Sequence, residues 1–73
     1  MNSAHGGDYE RIVTIMTITA NEIYCADESG KTTCVDQSLV HASGVLAPAL
    51  GQRLIVAFKS ANSADVLSVR LPS

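Results

Sequence analysis

The stretch EIYCADESGKTTCVD, residues 22–36, sets two short β-rich runs, Glu22 to Asp27 and Lys31 to Asp36, on either side of Ser29 and Gly30. Tyr, Ile, Val and Thr suit a pleated, half-buried surface, and two such runs around a glycine-containing break read as a β-hairpin. With Ser29 and Gly30 as a two-residue loop, Glu28 faces Lys31 and Cys25 faces Cys34. The opposite charges at the tip favour that register.

Working outward toward the N-terminus, RIVTIMTIT (residues 11–19) is a strand with Ile12, Met16 and Ile18 on one face and Val13 and Ile15 on the other. Both faces are expected to be partly covered. The first ten residues, MNSAHGGDYE, hold a glycine pair and no apolar period, so they read as a flexible tail ahead of a domain of residues 11–73. Toward the C-terminus, SLVHASGVLAPALG (residues 38–51) is interrupted by Gly44, Pro48 and Gly51. It accommodates one helical turn at Ser38 to Ala42, capped by Ser38, and then an irregular crossing. QRLIVAF (residues 52–58) aligns Leu54, Val56 and Phe58 as a fourth strand, and DVLSVRL (residues 65–71) aligns Leu67, Val69 and Leu71 with Arg70 on the other side. Pro72 ends that strand. Five strands with a longer break after the third form an all-β fold, a small five-stranded Greek-key barrel.

Composition bounds the rest. A chain of 73 residues holds one hydrophobic core, and 47% apolar against 16% charged residues excludes a disordered segment. The aromatics are Tyr9, Tyr24 and Phe58, so the core is aliphatic. Formal charge is −2, and the five basic residues (Arg11, Lys31, Arg53, Lys59 and Arg70) are scattered rather than gathered into a phosphate-binding footprint. No signal-peptide pattern and no apolar run of about 18 residues is present, so the expectation is a cytoplasmic protein with no membrane partner.

The stretch VDQSLVHASGVLAPALGQRLIVAF followed by DVLSVRLP resembles the second half of a bacterial cold-shock domain. The shared features are a Ser-led helical turn, a glycine-containing loop, a Gly-Gln pair opening the fourth strand and a valine-containing closing strand. The resemblance runs over residues 11–72 and implies an OB-fold; barrels of the translation initiation factor one type share the topology and stay open as an alternative. Cold-shock domains stack single-stranded nucleic acid on aromatics of strands two and three, with an aromatic on strand one and flanking lysines. The first motif falls on Ala20 to Tyr24, leaving Tyr24 as an aromatic with Glu22 at the other stacking position. The second falls on Cys34-Val35-Asp36-Gln37 and retains Val35, while the strand-one aromatic corresponds to Ile15 or Met16. Stacking contributes about 1–3 kcal/mol per base, so most of the family's affinity is expected to be lost. Glu22 and Asp36 on that face would also repel phosphate.

No catalytic constellation stands out. Ser29-Gly30-Lys31-Thr32 imitates the end of a phosphate-binding loop, but Cys25 occupies the first glycine position and Asp27 and Glu28 lie inside the loop, so a plain turn is the better reading. Cys25 and Cys34 are either two small buried thiols on one sheet face or a candidate redox pair able to form a cross-strand disulfide. A zinc site with His5 and His41 is disfavoured, because the C-x8-C spacing matches no usual ligand set. His41 near Ser38, Ser43 and Asp36 forms no local triad, so the expectation is no enzyme activity, no metal and no cofactor.

The binding candidates are Tyr24, outward if Cys25 is inward, with Arg11 and Lys31 nearby on the flanking strands. Two functions follow. One is weak or specialised binding of single-stranded DNA or RNA. The other is a protein-binding regulator that docks its barrel face or a strand edge on a larger partner such as the transcription or translation machinery.

Overall fold

Val13 and Ile15 sit two residues apart in an extended run, so both point to one side, and each is almost completely buried. They belong to β1, Tyr9–Ile18. The computed structural model describes residues 9–60 and 65–72. After β1 come β2 (Glu22–Asp27), β3 (Thr32–Asp36), α1 (Gln37–Ala42), β4 (Arg53–Phe58) and β5 (Val66–Arg70). The five strands form one antiparallel sheet in the order β3-β2-β1-β4-β5, curled into a half-barrel. The all-β expectation holds.

The inner side of this sheet is the core. Val13, Ile15, Ile23, Cys25, Val35, Leu54, Val56, Phe58 and Val69 meet there, with Val40 of α1 and Val45 just after it. Phe58 is the largest fully buried side chain, and the others are aliphatic or small. The helix packs against β3 and β5, the two outer strands of the sheet. Among the described residues, no helix is long and apolar enough to cross a membrane.

Several local expectations are corrected. The first strand begins at Tyr9, not at residue 11, because Tyr9 pairs with Phe58 and Glu10 with Ala57. Residues 1–8 of the expected tail lie outside the described residues. The register of β1 on β2 shifts between Ile15 and Thr17, so one extra residue is absorbed around Met16. Met16 is left 59% exposed and Ile12 48% exposed, so one face of β1 is open to solvent.

The hairpin is also one residue out of its expected register: Cys25 pairs with Thr33 and Tyr24 with Cys34. Its loop has three residues, not two. The Gly30 amide donates to the Asp27 carbonyl (3.0 Å) and the Asp27 amide to the Lys31 carbonyl (3.0 Å). Asp27 Oδ1 accepts from the Ser29 amide, the Ser29 hydroxyl and the Lys31 amide at 2.9, 2.7 and 3.0 Å. Gly30 closes the turn at φ +87°, a left-handed value that a three-residue hairpin requires of its last loop residue. The helix cap moves too: Asp36, not Ser38, is the N-cap, its Oδ1 accepting from the Ser38 amide at 2.9 Å. In β5 a register shift opposite Ala57 and Phe58 turns Leu67 outward, so Val66 packs on the core with Val69 and Leu71 stays exposed.

Ile23→Ala is expected to lower the unfolding free energy by about 2–5 kcal/mol and Ile12→Ala by much less, read from urea titration. Gly30→Ala, where the space is open but φ is positive, is expected to cost about 1–2 kcal/mol.

Candidate functional site

The hairpin register decides what the outer face of β2 and β3 carries. Because Ile23 and Cys25 point inward, Glu22 and Tyr24 point outward, and their partners Asp36 and Cys34 point outward with them. Glu22 and Asp36 therefore stand directly opposite each other across the strand pair, two like charges in a position that costs stability. Both are exposed, so water screens them.

Local hydrogen bonds hold the group in place. The β1–β2 turn is closed by the Thr19 amide donating to the Glu22 carbonyl (2.9 Å) and the Glu22 amide donating to Thr19 Oγ1 (3.0 Å). The Gln37 amide, at the start of α1, donates to the Asn21 carbonyl at 3.0 Å. Glu22 and Asp36 are thus anchored at one end of the sheet, where the turn meets the helix. Within the cluster the Tyr24 hydroxyl donates to Glu22 Oε1 (3.2 Å) and the Cys34 thiol donates to Glu22 Oε2 (3.2 Å).

The electrostatics follow. Hydrogen bonding to the Glu22 carboxylate pushes both the Tyr24 hydroxyl and the Cys34 thiol above their ordinary values, because ionising either would break the bond and set two negative charges together. Asp36 is held below its ordinary value by hydrogen bonds from Ser38. The face is acidic, with one tyrosine ring half-exposed among the acids.

The other sequence candidates are spread out. Arg11 is in phase with Val13 and Ile15, toward the inner side, and its guanidinium carbon lies 4.8 Å from the centroid of the Phe58 ring. It lines an open groove with Ile12, Asp27, Glu28 and Ser29, and its charge helps Ser29 hold the Asp27 carboxyl below its ordinary value. Lys31 is at the base of the hairpin loop. Tyr24, Arg11 and Lys31 are not brought together into one site.

Cys25 and Cys34 are separated by the sheet itself: Cys25 is buried at the core and Cys34 is exposed on the outer face. Both are free thiols. The expected facing pair is corrected, since side chains on opposite faces do not reach the Cβ separation of about 3.5–4.5 Å that a disulfide needs. Burial pushes the Cys25 thiol up to about 11. His41 lies in the last turn of α1, and His5 is outside the described residues. Among the described residues, no group of three potential metal ligands comes together.

Two features were not anticipated from the sequence. One is the hydrogen-bonded Glu22, Tyr24 and Cys34 group, which depends on the true register. The other is on β4 and β5, where Arg53, Ile55 and Arg70 point outward and Arg70 donates through Nη2 and Nε to Glu10 of β1 at 3.0 and 3.2 Å. That ion pair reaches across β4 at Ala57, which is buried although it points outward. Comparison with known proteins finds no matching family model, and no curated protein or solved structure matches the chain significantly.

A thiol reagent is expected to modify Cys34 in the native state and Cys25 only on unfolding, with no intramolecular disulfide in the mass spectrum under mild oxidation. Glu22→Gln removes the negative charge and leaves one acceptor oxygen where the carboxylate had two, so Cys34 should react faster at a given pH. Glu10, Asp27 and Asp36 are all lowered, so the stability they contribute is present above their unfolded values and is lost as pH falls through their folded ones. The melting temperature is expected to decline below about pH 4.

Proposed function

We propose that the chain is a non-catalytic docking domain, an OB-type barrel of the cold-shock kind, that binds a basic surface of a protein partner through the outer face of β2 and β3. The observation that carries the reading is the Glu22–Asp36 pair, two exposed carboxylates beside a half-exposed tyrosine. Acidic groups around an amphipathic ring suit a partner's Lys and Arg side chains, which can pair with the carboxylates and lie on the ring. The finer fold assignment is supported by the long, bulged β1 shared between β2 and β4, and by the short helix between β3 and β4 that packs on β3 and β5.

Single-stranded nucleic acid is the second reading, favoured by the outward, half-exposed ring of Tyr24 on strand two. Against it, the face offers one stacking platform where stacking contributes about 1–3 kcal/mol per base, and its charge opposes a phosphate backbone.

The test is a titration and a capture run side by side. Labelled oligo-dT and oligo-U at low salt should show no binding up to tens of micromolar. Immobilised wild type should retain a defined basic protein that Glu22→Lys and Asp36→Lys baits release. Low-micromolar oligonucleotide binding abolished by Tyr24→Ala would reverse the order of the two readings.

A further inference from the structure

The outer face of the sheet carries opposite charges at opposite corners. Glu22 and Asp36 lie on β2 and β3, beyond the row in which Thr17 faces Tyr24, toward the Thr19 end of β1. Arg53 and Arg70 lie on β4 and β5, in the rows of Thr14 and Ile12, toward the other end. In the order β3-β2-β1-β4-β5 the acidic pair is one and two strands to one side of β1, and the basic pair is one and two strands to the other. Between the corners the face mixes apolar Met16 and Ile12, about half-exposed, and Ile55, partly so, with the threonines Thr14 and Thr17.

We propose that this outer face is a homodimer interface, occupied by a second copy of the same chain packed sheet against sheet. The inference rests on the docking reading above and names its partner. A two-fold axis parallel to the face and perpendicular to the line joining the charged corners exchanges them, so each copy's acids meet the other's arginines. The strands of the two sheets then cross near a right angle, a recognised mode of sheet packing.

The spacings suit this exchange. With strands about 4.8 Å apart and residues rising about 3.3 Å, both corners lie roughly 5–10 Å from β1 and on the order of 10 Å along it from the centre. Glu22 then approaches the partner's Arg53, and Asp36 the partner's Arg70. Arg53 forms no ion pair with the described residues, and Arg70 holds Glu10 through Nη2 and Nε, leaving Nη1 for a second acceptor. Met16 sits close to the axis and is covered by its own copy. Two curled faces crossed in this way touch over a limited area, so the dimer belongs to the weak class of interfaces and is sensitive to salt.

Sedimentation equilibrium on the full chain, from about 5 to 500 µM at low and high salt, tests the proposal. The expected result is a monomer–dimer equilibrium that weakens at high salt. Glu22→Arg and Arg53→Glu, each still folded by circular dichroism, should weaken it at least tenfold. Mixing the two variants, or placing both changes in one chain, should restore it, because each reversed charge then meets its opposite. A monomer throughout the range, or a dimer indifferent to both reversals, would overturn the proposal. In either of those cases, a captured basic protein that depends on Glu22 would leave the docking reading standing, and loss of that capture as well would end both.

Discussion

Everything in this fold hangs on β1 bonding on both of its edges at once. Its ladder to β4 is regular from Tyr9 to Thr14, whereas its ladder to β2 slips at Met16. The slip sets Thr17 beside outward Tyr24 and Ile18 beside inward Ile23 while the strand bends, and a bent central strand curls the sheet. The Ile15 amide donates to the Gln52 carbonyl and the Gly51 amide to the Ile15 carbonyl, carrying the β4 side of the ladder into the preceding loop just where the β2 side slips. A straight β1 would leave the inner face flat, and a small aliphatic core cannot close over a flat sheet.

The consequence is a division of labour between faces. The inner face is sealed by aliphatic side chains, Phe58 and Val40, with no polar or charged side chain buried among the described residues. The outer face holds the chemistry: a thiol, a phenol and a carboxylate joined by hydrogen bonds, an acidic pair at one corner and a basic pair at the other. None of these groups is needed to close the core. Their arrangement is therefore available for recognition, and the proposed docking and self-association both draw on it.

The sheet could be read from residue alternation because period two is local: Leu54, Val56 and Phe58 announce a buried face whichever strand lies beside them. The hairpin at residues 22–36 and the helical turn after it were legible for the same reason. What misled was chain that changes phase. Asp27 accepts three hydrogen bonds from the loop and lengthens it by one residue, and that single residue exchanged Cys34 from the core side to the solvent side. In β5 a similar slip exchanged Leu67 for Val66. Arg11 was expected beside Tyr24, yet its phase put it on the other side, over Phe58.

By itself the sequence determined the element types, their order, the aliphatic character of the core and the shortage of aromatics on strands two and three, since these follow from residue chemistry and short-range periodicity. Only the tertiary structure decided which residues face each other. Register depends on how a turn closes and where a bulge absorbs a residue, and a shift of one residue moves side chains to the opposite face. The separation of Cys25 from Cys34, the Glu22–Asp36 pair and the opposed charged corners all arise at that level.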